Sequence, residues 1–231
     1  AESFSSRYPG QVEILVQNVN LGLQAHCVTA MQHFFKVNPA GIVFDDDIIP
    51  SQAFFPYMDF SLAHFESDKT VFAINGWTPF LEKEKISSSH LTRYFVSWGW
   101  ATWSDRFSLI DFDLTNYSKD IWWKQGTIKE LRTNLGFRRY WTKRFNLITS
   151  DSQNKSWDWE FLSEMWRMNG MCISPPERLV TNIGYDQYAS HPNFGSHRQK
   201  AFAREEFNPL SLGFEPTYNL KIDLRYERLM W

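Results

Sequence analysis

The chain has 231 residues, 43% apolar and 22% charged. That is enough for one large domain with a substantial core, and it excludes wholesale disorder. A formal net charge of −2 and a pI near 6.3 argue against nucleic acid as the main partner.

No apolar run approaches the roughly 18 residues that a bilayer span needs, and no signal-peptide pattern is visible. The sequence reads as soluble and cytoplasmic, with peripheral attachment to the inner face of the membrane as the other expectation. Aromatic residues make up 17%, with 11 Trp and 20 Phe. They imply a core of large side chains, with some rings available to stack on a sugar or a base. Cys27 and Cys172 lack metal-type spacing and read as buried free thiols, with one disulfide as the alternative.

Residues 1–10 are polar with a Pro9-Gly10 turn signal. Val12 to Val16 alternates loosely and predicts a strand. A turn follows in which Asn20 or Gly22 opens a helix, and Ala25, Val28, Met31 and Phe35 carry it to about Val37. Asn38-Pro39-Ala40-Gly41 ends that helix and leads into Ile42-Val43-Phe44, whose unbroken apolar run predicts a strand buried on both faces. Strand, helix, strand in this order predicts a right-handed crossover with the two strands parallel.

The second strand ends in Asp45, Asp46 and Asp47. Asp is a poor strand residue, so the acids mark where the strand leaves the core. In an open α/β sheet, ligands sit at the carboxyl ends of strands. Two like charges about 4 Å apart repel by roughly 1 kcal/mol in water and about 4 at an effective dielectric of 20. Three acids there would gain from a bound cation, and oxygen-only ligation suits Mg²⁺ or Mn²⁺. The alternative is an acidic loop capping the next helix through Asp47 or Ser51.

That helix opens at Pro50-Ser51 and places Phe54, Phe55, Met58, Leu62 and Phe65 on one face. Val71 to Ile74 predicts a strand ended by Asn75-Gly76-Trp77, and Glu82 to His90 a polar loop. Tyr94 to Trp103 is strand-like with a turn at Gly99, and a helix follows through Phe107. From Asp111 to Ser152 the pattern is helical and charged. Arg138, Arg139, Lys143 and Arg144 there read as holding phosphate or an anionic membrane surface, or as a solvated helix face. Ser156 predicts the N-cap of a helix holding Trp157-Asp158-Trp159-Glu160. Met171 to Ser174 predicts a last strand, stopped by Pro175-Pro176, and the tail beyond His191 is polar.

Four blocks in this order resemble bacterial glycosyltransferase-like proteins of the nucleotide-diphospho-sugar transferase (GT-A) fold. More distantly they resemble the Golgi N-acetylglucosaminyltransferase that begins complex N-glycans. The blocks are Phe44-Asp45-Asp46-Asp47-Ile48 with Pro50 and Phe54-Phe55-x-Tyr57; Ile74-Asn75-Gly76-Trp77; Trp98-Gly99-Trp100-Ala101-Thr102-Trp103; and Trp157-Asp158-Trp159 with the run Pro176 to Gly184 and His191. They span roughly residues 12 to 195. The family usually shows Glu-Asp-Asp at the first block.

The resemblance implies a mixed α/β sheet flanked by helices in one domain. Residues 12–110 would form the nucleotide-sugar and metal half, 111–195 the acceptor and catalytic half, and 196–231 a tail. Relatives open with a strand and loop that hold the base, then a helix and a second strand with another Asp. Nothing here matches those N-terminal strands. One sheet edge or core face is therefore expected to be uncovered, which invites a homodimer.

The implied activity is metal-dependent, inverting transfer of a sugar from a nucleotide diphosphate, with a UDP-sugar favoured, to a glycan or lipid-linked acceptor in bacterial surface polysaccharide synthesis. Asp47 would bind Mn²⁺ or Mg²⁺, Asp45 would do so through water, and Asp46 would face the ribose or sugar. Strand alternation puts Asp45 and Asp47 on one side. Asp158 matches the family's general base, with Glu160 as the fallback; Asp158 is otherwise a charge favoured in a helix's first turn. Burial against Trp157 and Trp159 would raise its pKa. Asn20, Gly22, Trp98, Gly99, Trp100 and His191 are donor-side candidates, Asn75, Trp77 and Trp157 acceptor-side ones, and Lys36 and Arg178 weaker phosphate candidates. Gly99 reads equally as a packing glycine, and a lone His is often structural. A truncated, non-catalytic remnant that binds a glycan or protein is the second reading. A Mg²⁺-dependent phosphohydrolase ranks last, because no nucleophile block is recognisable.

Overall fold

A computed structural model describes residues 10–80, 86, 88–114, 135–150, 156–184, 218, 219 and 221–225. A five-stranded mixed sheet organises them. Its strands are β1 (Ala40–Val43), β3 (Val71–Asn75), β4 (His90–Thr92), β5 (Trp100–Trp103) and β6 (Met171–Ser174), in the spatial order β1-β5-β3-β6-β4. A separate ribbon pairs β2 (Ile48–Pro50) with β7 (Val180–Asn182). The helices are α1 (Leu23–Phe35), α2 (Phe54–His64), α3 (Ser104–Phe107), α4 (Leu135–Ser150) and α5 (Trp157–Arg167).

β3 is the central strand, and every residue in it is buried. It runs parallel to β6 and antiparallel to β5. Its apolar run without alternation is what covering on both faces requires. The two tryptophans of β5 show which element covers which face. Trp100 stacks on Trp157 of α5, with ring centroids 5.6 Å apart. Trp103, three residues on and so on the opposite face, donates its indole N–H to the Leu62 carbonyl of α2 (3.2 Å). The sheet therefore lies between α2 and α5. Beyond α5, α4 buries Phe137 and Trp141 against Trp166 of α5.

Asn75 ends β3 as a buried pin. Its amide donates to the Tyr94 carbonyl and the Ser174 hydroxyl, and its carbonyl accepts from the Val96 N–H. Gly99 follows at φ 58°, in the left-handed region that favours glycine. A Cβ there would lie 3.0 Å from both Phe44 and Val180, so Gly99 packs against the side chains that bring β1, β5 and β7 together.

Three sequence expectations are corrected. Val12 to Val16 forms no strand: residues 11–17 have no ladder partner among the described residues, and Val16 is 82% exposed. Alternation supplies strand propensity, but a strand needs a ladder to satisfy its backbone. The parallel crossover accordingly fails; β1 pairs antiparallel with β5 and is half-buried at the sheet edge. Finally, Ile48 to Pro50 is the ribbon strand β2, and the next helix starts at Phe54 with neither Asp47 nor Ser51 as its cap. The strand expected at Met171 to Ser174 forms with those bounds. Among the described residues, no helix is long and apolar enough to cross a membrane.

Candidate active site

The three acids leave β1 in a tight turn closed by the Ile48 N–H on the Asp45 carbonyl (3.2 Å). The chain then reverses into β2, and β7 clamps it: the Ile183 N–H donates to the Asp47 carbonyl (2.8 Å) and the Ser51 N–H to the Leu179 carbonyl (2.9 Å). The acid turn is thus fixed by a segment more than a hundred residues away in sequence. Asn182 arranges the far side by accepting the Gly184 N–H (2.7 Å). Gly184 faces the Asp47 carboxylate, which any Cβ there would strike.

Electrostatics tie this turn to α5. Burial, then the charges of Asp47, Asp158 and Asp46, push the Asp45 carboxyl up to about 6. Asp158, from the first turn of α5, is therefore close enough to act on the end of β1. Asp47 is also raised, by burial first and the Asp46 charge second, with its own backbone N–H and the Asn182 amide drawing it back. Its Oδ1 is buried with no hydrogen-bond partner among the described residues. Cys27 of α1 belongs to the same neighbourhood: burial and the charges of Asp45 and Asp158 raise its thiol.

Ser156 occupies the N-cap position of α5 in extended conformation, yet its hydroxyl does not cap the helix. It donates instead to Asp158 Oδ1. Glu160, two residues on, points into the core. It is fully buried and accepts the Gln24 amide, which fastens α1 to α5. A cleft of about 400 Å³ between α1 and residues 110–113 shares only Gln24 with this cluster.

Asn20 and Gly22 lie at the start of α1, where the Gly22 N–H donates to Asn20 Oδ1 (2.8 Å). Trp98 stays half-buried, edge-on to Trp77 at 5.0 Å. Trp77 is 3% exposed, and Asn75, Trp100 and Trp157 lie in the core with their faces or polar atoms engaged by protein. Arg178 is buried too, donating to the Thr78 and Pro79 carbonyls across the Trp77 ring. His191 lies outside the described residues. The structure thus couples Asp45 electrostatically to Asp46, Asp47 and Asp158, and leaves Asn75, Trp77, Trp100 and Trp157 as packing.

Sequence reasoning gave Cys27, Asn182 and Gly184 no role in the site. A signal for two of them was present. Asn182-Ile183-Gly184 repeats the Asn-x-Gly spacing of Asn20-Leu21-Gly22, and both triplets form the same side-chain-to-backbone turn.

No group of three or more His, Cys, Asp or Glu side chains is gathered as a metal cage among the described residues. Asp45 and Asp47 nevertheless fit a cation shared with a phosphate ligand, since Mg²⁺ is commonly held by one or two carboxylates plus substrate phosphates. The unpartnered Asp47 Oδ1 and the mutually repelling carboxylates are what such a cation would relieve. In comparison with known proteins, neither a family model nor a curated relative matches the chain.

Proposed function

We propose that this chain is a metal-dependent inverting glycosyltransferase using a nucleotide-diphosphate sugar, with a UDP-sugar favoured, and a glycan or lipid-linked acceptor. One observation carries the reading: Asp158, on the first turn of α5, acts on Asp45 and thus on the acid turn after β1. Sugar transfer needs a counter-charge for the departing diphosphate and, nearby, a base for the acceptor hydroxyl. Two such carboxylate stations from distant parts of the chain supply that pair.

In this reading Asp47 and Asp45 hold Mn²⁺ or Mg²⁺, which when bound supplies positive charge to the leaving diphosphate. Asp158 takes the acceptor proton, and the Ser156 hydroxyl orients its carboxylate. A single base activating direct attack opposite the leaving group gives inversion. Glu160, fully buried against Gln24, joins helices and is not the base. Trp98, the one ring candidate half-exposed among the described residues, is the donor-side surface.

Calorimetric titration of the protein with UDP, with and without Mn²⁺, tests this. Binding should require the metal and be lost in Asp47→Asn. Asp158→Asn should keep UDP affinity within about twofold and slow transfer by roughly a hundredfold or more, the usual contribution of a general base. Absence of UDP binding under both conditions would refute the reading. Metal-dependent binding with transfer unaffected by Asp158→Asn would move the base elsewhere.

A further inference from the structure

Helix α4 carries four cations, Arg138, Arg139, Lys143 and Arg144, and no acid among its 16 residues. A solvated helix face ordinarily mixes signs, because opposite charges one turn apart stabilise it and like charges do the reverse. Arg139 and Lys143 are exposed and one turn apart. Neither they nor Arg144 forms an ion pair with any described residue.

Arg144 differs from its neighbours in being held. Its Nε donates to the Tyr140 hydroxyl at 3.2 Å. Its guanidinium lies 4.2 Å from the Trp159 ring centroid and 5.5 Å from that of Tyr140. Trp159 rests on Trp141, which is 2% exposed, so the platform is anchored in the core. Stacking uses the faces of a guanidinium and leaves its in-plane N–H groups free to form a two-pronged pair with an oxyanion. Much of the ordering cost of that pair is already met in the free protein. Trp159 directly follows Asp158, so the ring that holds Arg144 stands on the same first turn of α5 as the proposed base.

We propose that Arg144, supported by Arg139 and Lys143, is a phosphate-binding subsite on the acceptor side, and that the acceptor carries a phosphate group. The acceptor's identity rests on the proposed function; the phosphate site does not. The phosphate could belong to a soluble sugar phosphate or to a lipid headgroup.

Binding is measured in EDTA, so that no divalent ion engages the acid turn, with two probes: glucose 1-phosphate, and phosphatidylcholine vesicles with or without phosphatidic acid. The protein should bind at least one phosphate probe, and neither glucose nor pure phosphatidylcholine. Arg144→Gln should weaken binding by about tenfold or more, as loss of a charged hydrogen-bond pair predicts. Arg144→Lys should fail to restore it, because an ammonium lacks the planar fork. The exposed pair Arg139→Gln/Lys143→Gln should weaken it severalfold, which guards against a folding defect at Arg144. The probe that binds identifies the source as soluble or membrane-borne. Absence of binding to either probe, or binding unchanged in all these variants, would overturn the proposal. Titrating UDP with Mn²⁺ in parallel separates the two ideas. Loss of phosphate binding with UDP binding intact isolates the subsite. Phosphate binding without UDP binding keeps the subsite and removes the transferase reading.

Discussion

Asp47 occupies a space that only a glycine at position 184 leaves open. Gly184→Ala should displace the Asp47 carboxylate, and Mn²⁺-dependent UDP binding should weaken by tenfold or more while urea stability changes by about 1 kcal/mol or less. Unchanged metal dependence in that variant would show that Asp47 is not the ligand. His90 makes a different point about burial. It is 2% exposed beside Phe80, and burial holds its imidazole down to about 4. Because the unfolded chain binds this proton more readily, near 6.5, the contribution to stability is complete above about 6.5 and falls as pH drops towards 4. Lowering pH from 7 to 5 should cost the wild type on the order of 2 kcal/mol from this group. Urea midpoints of His90→Asn should lose that part of the slope.

At the scale of elements, the edge strand β4 is fastened from the C-terminal side. Tyr218 bridges Leu91, and the helical turn at 221–225 brings in Asp223, which is 2% exposed. Its carboxylate accepts from the Thr92 hydroxyl (2.7 Å), the Arg93 N–H (3.1 Å) and the Tyr218 hydroxyl (3.3 Å). Arg93, itself buried, has its guanidinium 4.8 Å from the Tyr218 ring centroid. Its Nε lies 3.8 Å from the Asp223 carboxylate, and removing one partner of a buried ion pair strands the other, so Asp223→Ala should cost about 3 kcal/mol in urea unfolding. A loss below about 1 kcal/mol would mean the clasp adds little. None of this was legible in the sequence, where the tail reads as polar. By contrast β6 was legible, because its four-residue apolar run is closed by Pro175 and Pro176. β2 and β7 were missed because each is only three residues long, too short for periodicity to show.

For the molecule as a whole, the candidate site draws on segments far apart in the chain: β1 and its turn, α1, α5 and the segment after β7. A ligand bound there should therefore stabilise the entire fold and not one lobe. At a hundred times its dissociation constant, UDP with Mn²⁺ should add about 2.7 kcal/mol to global stability, with one cooperative transition throughout. In Asp47→Asn that increment should vanish. A wild-type shift confined to one of two separate transitions would contradict the shared core.

The sequence by itself determined the elements whose pattern is local. These are the buried β3, the helices α1 and α5, the acid-terminated β1 and the density of large rings. Their residues carry the periodicity, or its absence, that burial on one face or two demands. Only the tertiary structure decided partnership. It made β1 an antiparallel edge neighbour of β5, left Val12 to Val16 without a ladder, and turned Trp100 and Trp157 into a stacked core pair. It also brought Asp158 to bear on Asp45, and Gly184 against Asp47. Propensity is set by a residue and its near neighbours. Ladder pairing, ring packing and carboxylate repulsion depend on distances between segments that chain order leaves open.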